Sequence, residues 1–174
     1  VVGIYSFAAL LLEGAGQIVY AIQVNLNPLL SDLHRSQSYP KVIEYIRRGN
    51  RTLLPLLLLG TGVGYLLFKD AVFLLVGNKD FLEARQYFLI LMVGLSLASG
   101  HLLSLNALNQ WGYPGRYSLM LLLMVGTNIA LNLLFIPYFG GVGAAYATAV
   151  AFVLTVIYFR ILLYRTVGVS PFPI

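Results

Sequence analysis

The chain has 174 residues, of which 59% are hydrophobic and only 10% charged, with a mean hydropathy of +0.84. A soluble domain carries roughly 25% charged residues, so the bilayer is the solvent for most of this chain and a soluble enzyme fold is excluded. The absence of cysteine removes disulfides, thiol nucleophiles and thiolate metal sites, and the net charge of +5 lies on basic residues set between apolar runs, which reads as membrane topology and not as a nucleic-acid face.

A spanning helix needs about 20 mostly apolar residues, and the pattern predicts an all-α integral membrane protein with about five spans: 4–30, 52–76, 85–108, 116–136 and 142–163. Short connections make consecutive spans antiparallel neighbours. The chain opens on Val1 without a charged leader or cleavage site, and the expectation is a piece of a longer membrane protein.

The first span is the polar one. At ~100° per residue, Ser6, Glu13, Gln17, Tyr20 and Asn27 share a narrow stripe, with Gln23 at its edge. Glu13 sits half-way along the apolar run, where an ionisable group facing lipid costs at least ~2.5 kcal/mol. It must face protein or a water-filled cavity. A carboxyl there can take up and release a proton as its surroundings change from wet to dry. The competing reading makes Glu13 and Gln17 inter-helix glue. Pro28 follows Asn27 at the inner end of this span, and Pro55 stands at the start of the second. Each is a hinge candidate, although a helix end is the simpler expectation for both.

The connection 31–51 is the longest and carries Arg35, Lys41, Arg47, Arg48 and Arg51 against Asp32 and Glu44. The positive-inside rule makes it cytoplasmic, which puts the first residue outside and the C-terminus inside. From Pro40, apolar Val42, Ile43 and Ile46 oppose Lys41, Glu44, Arg47 and Arg48, with Glu44 and Arg48 one turn apart. That pattern reads either as a short helix lying on the membrane surface or as a solvated connector. Lys69 and Arg85, near outer helix ends, can snorkel.

Small-residue stripes follow. Gly60 and Gly64 lie on the second span and Gly143, Ala147 and Ala151 on the fifth, spacings that favour close helix packing. Asn128 and Asn132, one turn apart on the fourth span, suit either a sugar's hydroxyls or another helix. His101, in the third span, reads as a neutral, hydrogen-bonded interior histidine or as a group titrating near neutral pH. The stretch 128–148 is expected to organise the chain: a helix ending at Ile136-Pro137, a tight turn over 138–141 and a second helix opening on small residues. Paired carboxylates, a Ser/His/Asp set and metal-spaced histidines are lacking, which argues against an enzymatic site, a metal or a cofactor in this part.

The segments VGIYSFAALL, NPLLSDL, GNKDFLEA, ALNQWGYPGR and NLLFIPYFGGVGAAYAT, in this order and spacing, resemble the polysaccharide (O-antigen type) flippases of the multidrug/oligosaccharidyl-lipid/polysaccharide exporter (MOP) superfamily. The resemblance runs over nearly the whole chain. It implies two six-helix lobes around a central cavity, with this chain forming most of the C-terminal lobe and an N-terminal lobe missing. The implied function is transport of lipid-linked oligosaccharide across the cytoplasmic (inner) membrane by alternating access, coupled to an H+ or Na+ gradient. Glu13, Gln17, Tyr20, Asn27, Asn128 and Asn132 are then the cavity or coupling candidates. The implied partners are the lipid-linked glycan, membrane lipid, the missing lobe and glycan polymerase machinery. Alternatives are a multidrug or small-molecule exporter of the same superfamily, a membrane-embedded glycan polymerase, and a non-transporting membrane subunit.

Overall fold

A computed structural model describes residues 2–168, and among them every long element is helical. α1 is Val2–Arg35 and α2 is Tyr39–Leu75; a 3-10 turn, Lys79–Glu83, leads into α3, Ala84–Leu102; a single-turn α4, Ala107–Gln110, precedes α5, Pro114–Val167. The protein is an all-α, multi-pass membrane protein. Four helices (α3 counted with its flanking turns) have the length and composition to cross a bilayer.

α5 has 54 residues and would be about 80 Å long if straight, far more than the ~30 Å hydrocarbon core. It doubles back at Gly140, whose φ of 57° and ψ of −134° interrupt the helix. That region is open to glycine and closed to residues with a Cβ, so the reversal falls on Gly140. Helical hydrogen bonding continues through Pro137, and the helix end expected at Ile136-Pro137 shifts to Gly140. The two arms stay in contact from the corner onward: a Cβ on Gly143 would lie 2.5 Å from the Phe135 carbonyl oxygen. The expected stripe Gly143, Ala147, Ala151 is buried.

Three further expectations change. The connector 31–51 shrinks to a turn over 36–38, because α1 continues to Arg35 and α2 starts at Tyr39. The basic segment is thus the first turns of α2, continuous with its apolar part, and not a separate surface helix. Pro28 and Pro55 lie inside α1 and α2 and end neither. Long membrane helices tolerate proline where neighbouring groups satisfy the freed backbone. The Gly60–Gly64 stripe is not a packing seam: a Cβ at Gly60 or Gly62 would meet nothing within 4 Å, and only Gly64 abuts a neighbour, the Phe88 ring.

The organising element is α3, not the α5 corner. About two thirds of its apolar stretch is buried, against 6–22% for the windows of the other three long helices. One core joins Ala8 and Leu12 of α1, Phe68 and Val72 of α2, Phe88 and Leu91 of α3 and Ala145 of α5. A second, at the other end, gathers Leu30, Val42, Ile46, Leu108, Trp111 and Phe159. α3 meets the second arm of α5 at backbone distance, where a Cβ on Gly94 would lie 2.6 Å from the Ala149 Cα.

That contact is with backbone, so it cannot be relieved by a side-chain rotation. Gly94→Ala should therefore destabilise the protein by about 1–3 kcal/mol, the usual cost of overpacking. Gly60→Ala, which meets only open space, should be neutral or stabilising by up to about 1 kcal/mol through helix propensity. Thermal unfolding of both variants in detergent checks the contrast, and equal melting temperatures would refute the seam.

Candidate functional site

α1 lies against α3 with Ala8, Leu12 and Val19 buried. Its opposite edge carries the polar stripe. Between that edge, α3 and the second arm of α5 runs a groove of about 390 Å³. Glu13, Gln17, Tyr20 and Gln23 form its polar side, and Leu95, Leu102, Leu105 and Phe152 its apolar floor. Glu13, Gln17 and Tyr20 are exposed along it. No hydrogen bond or ion pair ties Glu13 to another described residue.

The other predicted residues are placed differently. Asn27 accepts from Asn106 Nδ2 at 3.3 Å, and Asn106 Oδ1 accepts from Asn109 Nδ2 at 3.4 Å. Ser31 donates to Gln110 Oε1 at 3.2 Å, and Trp111 Nε1 to the Leu30 carbonyl at 2.8 Å. These bonds fasten α1 around Pro28 to the segment after α3. Asn132 donates to the Asn128 carbonyl and side-chain oxygens at 2.9 and 3.0 Å, and Asn128 Nδ2 to Thr148 Oγ1 at 3.3 Å. Thr148 Oγ1 also meets the Tyr5 hydroxyl at 3.3 Å. This chain of amides and hydroxyls joins both arms of α5 to the first turns of α1. The structure thus brings Glu13, Gln17 and Tyr20 together on the groove, and it hydrogen-bonds Asn27, Asn128 and Asn132 to neighbouring elements.

A polar cluster that sequence reasoning missed lies beneath the groove. Arg160, within the expected fifth span, is half-buried on the second arm of α5. It donates Nε and Nη2 to His101 Nε2 at 2.9 and 2.7 Å. A nitrogen that accepts carries no proton, so the His101 proton is on Nδ1, as in a neutral interior histidine. The Asn50 amide lies 3.5 Å from Nδ1, and Asn50 Oδ1 is buried without a partner among the described residues. A half-turn of that amide, whose two ends are interchangeable in shape, would turn Oδ1 toward the Nδ1 proton. Gly100 makes room: a Cβ there would run into Asn50. The visible signal was a histidine and an arginine each inside an apolar run, but nothing in a single sequence pairs residues 59 apart.

Arg85 was expected to snorkel to the outer boundary. Instead it lies 3.7 Å over the Tyr65 ring and donates Nε to the Tyr65 carbonyl at 2.9 Å, a cation–π contact with a backbone anchor. Among the described residues no group of three or more His, Cys, Asp or Glu side chains could hold a metal ion.

Over 120 residues, 67% of its length, the chain is 33% identical to the probable low-salt glycan biosynthesis flippase Agl15 of Haloferax volcanii. The chain is similar to a glycan flippase. It spans about a quarter of the length of that curated relative. No family model and no solved structure matches it.

The His101–Arg160 contact has a stability consequence. His101→Ala leaves a half-buried guanidinium short of its acceptor and should cost about 1–3 kcal/mol. Because removing both partners also removes the unmet donor, His101→Ala with Arg160→Met should cost no more than His101→Ala alone. Denaturation of the two variants side by side tests this; additive losses would contradict it.

Proposed function

We infer that this chain is part of a flippase that moves a lipid-linked oligosaccharide or polysaccharide unit across the cytoplasmic membrane. The observation that carries the reading is the groove: a mid-membrane stripe of Glu13, Gln17, Tyr20 and Gln23 facing an apolar floor, on a chain similar to a glycan biosynthesis flippase. The MOP superfamily, O-antigen type, is the finer assignment that the motif resemblance supports.

In this reading the sugar head group crosses along the polar stripe while the lipid tail stays in the bilayer. Amides and a phenol suit that traffic. Each exchanges one hydroxyl partner for another, which holds a glycan weakly enough to let it pass. Glu13 provides the coupling. Its charge is costly when the groove is dry and cheap when it is wet, so proton uptake accompanies closure and release accompanies opening. Na+ binding to the same carboxylate is the other form of the coupling. The chemistry is transport and involves no enzymatic step. The chain works with a second lobe that covers the groove, and it hands the glycan to assembly machinery on the far side. The end of the bundle bearing Arg35, Lys41, Arg47, Arg48 and Arg51 faces the cytoplasm.

In cells carrying the intact protein, Glu13→Gln should slow delivery of glycan to the outer surface by about tenfold, the equivalent of ~1.4 kcal/mol in a barrier. Lipid-linked glycan should accumulate on the cytoplasmic side, and the folded protein should persist at its normal level. The residual transport should lose its dependence on external pH. Unchanged delivery across a pH series would overturn the role of Glu13. Resistance to small cationic drugs that depends on the protein, with glycan delivery independent of it, would replace the flippase reading with a drug exporter.

A further inference from the structure

We propose that the arginine face at the start of α2 is a binding site for the phosphate head groups of anionic membrane lipids. Pro40, Ile43, Glu44, Arg47, Arg48, Arg51 and Thr52 recur at helical spacing and line a single concavity of about 670 Å³. The opposite face of the same turns is locked. Val42 and Ile46 are 1% and 5% exposed in the core with Leu30, Leu33, Leu108 and Trp111. Gly49 is pressed against Leu103 and Gly100. The helix cannot rotate to hide its cations, and Arg47, Arg48 and Arg51 are all exposed.

Their charge is not neutralised within the described chain. The one ion pair among the described residues is Arg35–Asp32, so Glu44 and Arg48 do not form the helical pair their spacing allows. Arg47, Arg48 and Arg51 against Glu44 leave a surplus of positive charge on one face, and Lys41 lies on the same side. The position selects the ligand. Because α2 is one continuous helix, Arg51 is two residues before Leu53, where the long apolar run of that helix begins. At 1.5 Å per residue the three guanidinium groups start within about 10 Å of the hydrocarbon edge, the depth of lipid phosphates. A guanidinium fork matches two phosphate oxygens and is weakly hydrated enough to leave bulk water for them. A soluble polyanion would meet the same charges but would have to displace the lipid head groups already beside them. The bulk anionic phospholipid of that leaflet is therefore the occupant. This inference stands on the placement of α2 and does not need the flippase reading.

The test is lipid selection by the intact protein. Purified protein is reconstituted with a mixture of phosphatidylcholine and phosphatidylglycerol, and the lipids retained after delipidation are counted by mass spectrometry. The protein should retain phosphatidylglycerol in excess of its share, and each substitution in the series R47Q, R48Q, R51Q should lower the preference by about fivefold. The triple lysine variant should keep a salt-sensitive part of it, while the triple glutamine variant should keep none. All these side chains point away from the core, so the variants should run as the parent on size exclusion. No enrichment by the parent, or equal enrichment by the triple glutamine variant, overturns the proposal. Selective retention of an added polyprenyl diphosphate without phosphatidylglycerol also overturns it, by assigning the face to a lipid-linked substrate. Because transport is not read, failure here leaves the flippase reading intact, and the Glu13→Gln result leaves this one intact.

Discussion

The backbone contact between Gly94 and Ala149 is the constraint on which the other packing depends. In lipid there is no hydrophobic force to draw apolar helices together, so association rests on close packing and on inter-helix hydrogen bonds. A glycine opposite an alanine allows α3 and the second arm of α5 to come within backbone distance. That approach buries α3 and turns its interior into protein. Ser96 and Ser99 can then sit fully buried, their hydroxyls returned to the Met92 and Ser96 carbonyls at 2.7 and 2.8 Å. His101 can sit 3% exposed with a guanidinium on one nitrogen and an amide near the other.

With α3 at the centre, the remaining helices are satellites, each held on one side and open on the other. α1 shows what that permits. Its first turns are tied through Tyr5 to Thr148, and its last through Asn27, Leu30 and Ser31 to Asn106, Trp111 and Gln110. The polar groups between these fastenings, from Glu13 to Gln23, line the groove and belong to neither. A helix clamped at both ends and polar in the middle holds a row of hydrogen-bonding groups at mid-membrane depth without letting the helix swing away. Pro28 lies within the lower fastening, so any bend there moves the polar stripe relative to a fixed end. Pro55 has no comparable fastening: near it, Leu53 and Leu57 are buried by apolar contact with Val19 and Leu103.

Helices, their antiparallel order and the polar stripe on α1 were legible because each depends on spacing within one segment. The all-α membrane class followed from composition alone. What was not legible depends on neighbours. Pro28, Pro55 and Pro137 were expected at helix ends on propensity learned from water, whereas a membrane helix keeps its remaining hydrogen bonds because lipid provides no replacement. The charges in 31–51 say nothing about whether the backbone there is helical. The break falls at Gly140, within the expected turn, and the helix runs past Pro137 to it, because the reversal demands positive φ. The merging of the basic segment with α2 required knowing that Val42 and Ile46 have a core to bury in. The Gly60 stripe failed for the inverse reason: small residues permit close approach, but a second helix must be there to approach.

The groove and the charged cluster below it solve the same electrostatic problem in opposite ways. Arg160 is inside the bundle and is satisfied by a neutral acceptor, so its charge is held in place and costs little to keep there. Glu13 is half-way along an apolar helix and faces a cavity wall with no donor fixed upon it. The floor residues Leu95, Leu102, Leu105 and Phe152 offer none, and the donors lining the groove are Gln17, Tyr20 and Gln23 along the same helix. A satisfied charge makes a good strut because nothing that passes can improve its surroundings. An unsatisfied carboxylate at this depth is the reverse, since its free energy depends on whatever next fills the groove, whether water, a cation, a proton or a sugar hydroxyl. That dependence lets the contents of the groove bias the conformation of the helices around it. The α1 stripe is thus the part of the chain whose energetics respond to its surroundings, and α3 with the α5 corner is the frame that holds it.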